Sequence, residues 1–216
     1  MTDLKLVVLD CDGVMFDSRE ANRSYYGHLR ERFGRPPLTE QEVGFVHAHP
    51  APESVPFIFR AWPQQIESVN AYRATLDYTP FLRRMAIEPD LLEFLAAVRP
   101  PLLTAISTNR TSTMAAVLDT FELRPHFDLV VTALDVAHPK PHPEALLKIL
   151  AAFGVSAEEG IFIGDTRVDV DHAAAVGMPL VAFRSPALKA AYHVSSFREV
   201  LGLPPLASVL RSAPRL

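Results

Sequence analysis

Cysteine is almost missing from this 216-residue sequence, in which Cys11 stands alone. A single thiol excludes an intrachain disulfide framework and any zinc site built from several thiolates, and it suits a reducing compartment. Long apolar runs are missing too: the first one after Met1-Thr2-Asp3-Leu4-Lys5 stops at Asp10, too short for a signal peptide or a membrane span. Charge of one sign is not in excess. The 25 acidic and 21 basic residues give a formal charge of -4, which offers no broad footprint for nucleic acid or an anionic membrane. There is no internal repeat, charge block or low-complexity tract. These absences predict a cytoplasmic protein with no nucleic-acid or membrane partner. A small-molecule ligand is the default, and the length suits a core carrying a smaller insertion.

What the sequence does contain is a recurrent aliphatic run. Leu6-Val7-Val8-Leu9 has no polar alternation, the pattern of a strand buried on both faces of a parallel sheet. Similar runs follow at Leu102 to Ile106, Leu129 to Thr132, Ile161 to Ile163 and Leu180 to Phe183, with helically spaced segments between them. From Pro143 to Phe153, Leu146, Leu147, Ile149 and Leu150 form a stripe between a first-turn proline and Gly154. This alternation predicts an α/β fold with a doubly wound, Rossmann-like parallel sheet, which binds ligands beyond the carboxyl ends of its strands. The stretch from Asp17 to Arg84 breaks the rhythm, with helical segments and no convincing buried strand. It predicts a small inserted α-helical domain at 17–84 within a core of 1–16 and 85–216. Asp17 followed by Glu20 predicts a capping box at the start of its first helix. Pro36-Pro37 and the run from His47 to Pro52 mark loops inside it.

Polar residues collect after four of the five expected strands. Asp10 and Asp12 are two apart in an extended segment, so both carboxylates project to one side, and Gly13 lets the backbone turn. One carboxylate can attack phosphorus while the other moves the proton, and a hard cation such as Mg2+ would offset their repulsion of a phosphate. Read alone, Asp-x-Asp-Gly is equally a turn. Ser107-Thr108-Asn109 offers hydroxyls and backbone donors near a helix start, suited to phosphate oxygens or to a helix cap. Lys140, held between prolines in Lys140-Pro141-His142-Pro143, can neutralise phosphate, or it is a solvated surface lysine. Asp165 and Asp169, four residues apart after the fourth strand, can serve a metal, unless one of them only caps the next helix.

As an ordered set, Asp10-x-Asp12-Gly13, Ser107-Thr108-Asn109, Lys140-Pro141 and Gly164-Asp165-x-x-x-Asp169 resembles the four motifs of the haloacid dehalogenase superfamily. The insertion after the first motif resembles the α-helical cap of its phosphoglycolate phosphatase and β-phosphoglucomutase-like branch. The resemblance implies a Mg2+-dependent phosphatase of a small phosphorylated metabolite. By it, Asp10 is the nucleophile that forms an aspartyl-phosphate. Asp12 is the general acid and base and offers its carbonyl to the metal, Asp165 is a further ligand, and Asp169 supports the metal shell. Ser107 and Lys140 would hold the phosphoryl group, with Thr108 and Asn109 beside them.

Val14 stands where many such phosphatases carry threonine, Cys11 replaces an apolar residue, and His142 receives no role. Asp12 speaks against the dehalogenase branch, which lacks the second aspartate, and the absence of lysine from 17–84 removes the phosphonatase branch. A phosphomutase and a non-catalytic binding protein on the same fold remain as alternatives. His47, His49 and Arg60, with Tyr25 or Tyr26, are the cap residues expected to read the substrate. His47-Ala48-His49 lacks the third ligand of a zinc site. The protein is expected to be a monomer or homodimer.

Overall fold

The computed structural model describes residues 3–212; Met1 and Thr2, at the start of the expected core, and residues 213–216 at its end lie outside the described residues. The aliphatic runs form a six-stranded sheet in the order β5-β4-β1-β6-β7-β8. Its strands are β1 (Leu6–Leu9), β4 (Leu103–Ser107), β5 (Leu129–Val131), β6 (Gly160–Gly164), β7 (Leu180–Phe183) and β8 (Tyr192–Val194). Every pair in it is parallel. β1 lies between β4 and β6, with Leu9 beside Ile106 on one side and Ile163 on the other. The strand order reverses there, which places a crevice at the end of β1.

All four β1 side chains are fully buried because successive residues face opposite sides of the sheet. Leu6 and Val8 pack on one side with Phe162, Leu146 and Ile149, while Val7 and Leu9 pack on the other with Ile106, Phe94 and Phe183. The sixth strand, β8, escapes a sequence reading because it is short and only Val194 in it is buried. The second expected strand also shifts: it begins at Leu103 and takes in Ser107.

Between β1 and β4 the chain passes through a two-stranded antiparallel ribbon of β2 (Phe16–Asp17) and β3 (Ala86–Ile87). The helices α1 (Arg19–Arg32), α2 (Glu40–Ala48), α3 (Ala51–Ile58), α4 (Ile66–Thr75) and α5 (Thr79–Leu82) form a cap between these strands. The capping box expected at Asp17 is not formed. Asp17 pairs with Ala86 in the ribbon, and Ser18 is the residue preceding α1. The Ser18 hydroxyl instead donates to the Asp12 carboxylate.

The core resumes with α6 (Leu91–Val98), α7 (Thr113–Thr120), α8 (Glu144–Phe153) and α9 (Arg167–Val176), followed by α10 (Phe197–Leu201) and α11 (Pro204–Ser212). α8 ends at Gly154, in the left-handed region at φ 65°. Leu146, Ile149 and Leu150 face inward from it, but Leu147 turns to solvent, one position off the expected stripe.

Candidate active site

The end of β1 turns sharply. Asp10 keeps sheet geometry by donating its backbone N–H to Ile163, and Gly13, at φ 78°, closes the turn with a bond to Phe16. A Cβ on Gly13 would lie 2.0 Å from Asp165 Oδ2, so glycine is needed both for the backbone angle and for the carboxylate behind it.

Asp10 Oδ1 accepts the Cys11 backbone N–H at 2.7 Å and meets Lys140 Nζ at 2.9 Å. Lys140, nearly fully buried, donates equally to Asp169 Oδ1 at 2.8 Å. Burial pushes the Asp10 carboxyl up to about 7; Lys140 opposes this and the Asp169 charge reinforces it. Burial also works against the charged Asp169, but Lys140 and the Thr166 donors outweigh it and hold that carboxyl below the usual range. Asp169 Oδ2 is filled by the N–H groups of Asp165 and Thr166, at 3.2 and 3.0 Å, and by the Thr166 hydroxyl at 2.7 Å. With Oδ1 on Lys140, its oxygens are already engaged.

Asp165 differs. Its Oδ1 is buried with no hydrogen-bond partner, and burial, then the charges of Asp169 and Asp10, push its carboxyl up to about 9. Asp10, Asp165 and Asp169 present ligand oxygens within 4.8 Å of one another. Ionising all three carboxylates against one lysine would leave two net negative charges in this largely buried cluster, and one oxygen is orphaned. That donor set fits a hard divalent cation such as Mg2+.

Asp12 lies in a different field. Arg110 grips it with both arms, Nε to Oδ2 at 2.7 Å and Nη2 to Oδ1 at 2.6 Å. Burial alone would raise the Asp12 carboxyl, but this guanidinium overrides it and holds the group below the usual carboxylate range. Arg110 also approaches the Tyr78 hydroxyl and the ring face of that tyrosine. Sequence reasoning missed this arginine. The available signal was its place directly after Ser107-Thr108-Asn109 in the same strand-end loop.

One cleft gathers most of the remaining residues. It is lined by Asp10, Asp12, Thr108, Asn109, Arg110 and Lys140 from the core and by Asn22, Tyr25, Tyr26, His47, His49 and Arg73 from the cap, with Tyr78. Ser107 departs from expectation: it is fully buried behind the cleft, and its hydroxyl pairs with His172 Nε2 at 3.0 Å. The His172 Nδ1–H donates to the His142 carbonyl, and burial lowers the ring to about 4, so Nε2 of the neutral ring accepts from Ser107. One residue on, Thr108 reaches the cleft because the side-chain direction alternates. Asn109 lines the cleft but spends its amide on the Lys140 backbone and, at 3.3 Å, on the Ala48 carbonyl of the cap.

His47 accepts from the Asn22 amide at 3.1 Å, and burial lowers its basicity. His49 stacks on Phe45 at 3.9 Å and donates to the Phe45 carbonyl. Arg60 does not reach the cleft; it points outward, paired with Glu42 at 2.8 Å. Burial, with the neighbouring Asp12 charge, pushes the Cys11 thiol up, so it stays a neutral packing residue.

A strand-end nucleophile candidate, a buried lysine and a carboxylate cluster at the switch point of a parallel sheet define a class, and comparison with known proteins gives the same one. The family model for haloacid dehalogenase-like hydrolases matches residues 7–183, and the chain belongs to that family. Among curated proteins it is similar to phosphoglycolate phosphatase of Salmonella paratyphi A, 29% identical over 155 residues, covering 71% of this chain and 54% of that protein. The Escherichia coli K12 phosphoglycolate phosphatase is 34% identical over 93 residues, 43% of this chain and 36% of the relative. The chain thus matches about half the length, or less, of these curated relatives.

A crystal structure of a subfamily IA hydrolase of this superfamily from Geobacter sulfurreducens is 37% identical with a TM-score of 0.81, covering 92% of this chain and 98% of that one. A Streptococcus pneumoniae protein of the haloacid dehalogenase-like family, at 21% identity and TM-score 0.79 over 94% and 99% of the two chains, shares the fold. No helix among the described residues is long and apolar enough to cross a membrane.

Proposed function

We propose that the protein is a Mg2+-dependent phosphatase of a small phosphorylated metabolite that works through an aspartyl-phosphate on Asp10. The observation that carries this reading is the buried cluster at the end of β1, where Lys140 bridges Asp10 and Asp169 and Asp165 keeps an unpartnered oxygen. Oδ1 of Asp10 holds the Cys11 N–H and Lys140, which leaves Oδ2 to attack phosphorus. As the new O–P bond forms, the bond to the leaving oxygen breaks and Asp12 delivers a proton to that oxygen. Asp12 then takes a proton from water, whose oxygen attacks the same phosphorus and frees Asp10. The Thr108 hydroxyl and the N–H groups of the following loop receive the phosphoryl oxygens, in the role first expected of Ser107.

Asp10 and Asp165, with the Asp12 carbonyl, would hold Mg2+, which when bound offsets the negative charge of the cluster and of the phosphoryl group. Asp169 braces Lys140 and the Asp165-Thr166 turn rather than serving as a ligand. Asp12 cannot carry a proton while both of its oxygens accept from Arg110. Its acid role therefore requires that fork to open, with the guanidinium passing to an anionic oxygen of the substrate and Asp12 taking up from solvent the proton that it then delivers to the leaving oxygen.

The helical cap, bounded at 17–84, supplies the selective wall. Arg73 lines it with a buried, unpartnered Nε, beside Tyr25 and Tyr26. A cation there supports a leaving group that bears a second anion, and the curated relatives named phosphoglycolate phosphatase direct the first test to phosphoglycolate. The enzyme would act in the cytoplasm, as a monomer or homodimer. The test is phosphate release from a panel of phosphorylated metabolites with Mg2+ and with a chelator. We expect release that requires Mg2+ and favours small acids; an equal rate in chelator rejects the mechanism.

A further inference from the structure

Directly outside the active site the chain reads His138-Pro139-Lys140-Pro141-His142-Pro143-Glu144, a proline at every second position. Lys140 turns inward from this segment to Asp10 and Asp169, whereas His138 and His142 turn out, with side chains 68% and 49% exposed. The two imidazoles face each other at 4.7 Å between ring centres. Both lie near one carboxylate oxygen, Glu144 Oε2, with His138 Nδ1 at 3.3 Å and His142 Nδ1 at 3.9 Å; the latter also accepts the Glu144 backbone N–H at 3.3 Å, so His142 keeps Nε2 for a metal. Ligand atoms of all three residues lie within 4.8 Å of one another.

We infer that His138, His142 and Glu144 form a second metal site, one that takes a borderline divalent cation such as Zn2+ and braces the loop presenting Lys140. Two imidazoles and a carboxylate suit Zn2+, which binds nitrogen and oxygen at four positions, and the fourth is open to water. Mg2+ prefers oxygen throughout and is served by the inner cluster instead. The carboxylate is already aimed: Glu144 Oε1 accepts the Ala137 N–H at 2.8 Å and Oε2 the His138 N–H at 3.0 Å, leaving lone pairs for a metal. Three prolines restrict the backbone, so little backbone freedom is lost when the exposed rings turn onto an ion. His47 and His49 have no such arrangement: Nδ1 of each bonds a cap neighbour, and among the described residues neither belongs to a cluster of three ligands.

The site also joins the interior. The His142 carbonyl accepts from His172, whose ring takes the Ser107 hydroxyl behind the cleft.

The test is Zn2+ titration of the full chain, stripped of metal and returned to saturating Mg2+, against a chromophoric chelator, with Co2+ as a spectroscopic probe of coordination. We expect one Zn2+ site per chain, weakened at least about tenfold by His138→Ala or His142→Ala and unchanged by Asp165→Asn. Co2+ should give the intense visible bands of a four-coordinate centre in wild type and lose them in either histidine variant. Both rings are exposed, so these substitutions should leave the fold intact, which the circular dichroism spectrum checks. Zn2+ binding that survives the double histidine variant, or that is lost in Asp165→Asn, overturns the assignment by returning the ion to the inner cluster. No Zn2+ binding in wild type overturns it outright.

Discussion

On the floor of the cleft, Asp10 after β1, Lys140 in the loop before α8 and Asp169 in the first turn of α9 hold one another through buried ion pairs of 2.9 and 2.8 Å. The roof is assembled differently: Tyr25 meets Tyr26 and Tyr78 edge to face at 5.0 and 5.1 Å, His47 has the Asn22 amide, and His49 lies flat on Phe45. The floor concentrates charge where solvent cannot screen it, so each of its groups alters the electrostatic state of the others. The roof is mostly aromatic and weakly polar, with Arg73 as its one full charge among the residues lining the cleft, so its groups are coupled less strongly to one another. Asn109 joins the two by bonding to the Lys140 backbone below and to Ala48 above. The difference separates reaction from selection: floor substitutions should alter kcat or KM alike on every substrate, roof substitutions the choice of substrate.

The largest expected break is Asp10→Asn, which should lower Mg2+-dependent phosphate release by about a thousandfold or more, read in a steady-state assay of the purified variant. Retained turnover would remove the nucleophile from the floor. Next comes Arg110→Gln. If the guanidinium passes from Asp12 to the substrate, KM should rise about tenfold, roughly 1.4 kcal/mol, with partial rescue by Arg110→Lys. A fall in kcat at constant KM would instead assign Arg110 to holding Asp12 alone.

A smaller effect is expected at the roof. Replacing His47 and His49 together should shift the kcat/KM ratio between two substrates by up to about tenfold while turnover of a generic phosphate ester holds. Equal losses on every substrate would erase the distinction between roof and floor.

The last effect is on stability rather than turnover and comes with a sign. Asp165 has its carboxyl raised to about 9, so in metal-free protein its favourable contribution is complete below about pH 4 and is lost as pH rises through about 9. In chelator, Asp165→Asn should therefore gain melting temperature relative to wild type as pH climbs through that window, and Mg2+ should reverse the order by stabilising wild type alone. A difference that stays flat with pH would mean that Asp165 is not a strained, unpartnered acid.

Much of the floor was legible because its residues sit at the ends of local patterns. The aliphatic run Leu6 to Leu9 marks a doubly buried strand, so Asp10 and Asp12 had to emerge at its carboxyl end. Ile161 to Ile163 marks Asp165 in the same way. Ser107, Thr108 and Asn109 are expected together at the phosphate, but β4 runs on through Ser107, so its side chain faces behind the cleft while Thr108 and Asn109 line it. Arg60, expected on the substrate-reading face of the cap, is held outside the cleft by Glu42. Asp17 carries a helix-start signal, yet pairing with Ala86 across the ribbon overrides it.

By itself, then, the sequence determined five of the six strands of the main sheet, helices that cover them and the four places where polar residues leave the sheet, because hydrophobic periodicity and turn chemistry act over a few neighbouring residues. Tertiary structure decided the charge states. Arg110 lies 98 residues from Asp12 in sequence, and Asp165 is far from Gly13, whose missing side chain makes room for it. Only folding brings such groups together and removes the water between them. Burial and neighbouring charge then part the two aspartates of one turn, raising Asp10 toward neutrality and holding Asp12 ionised.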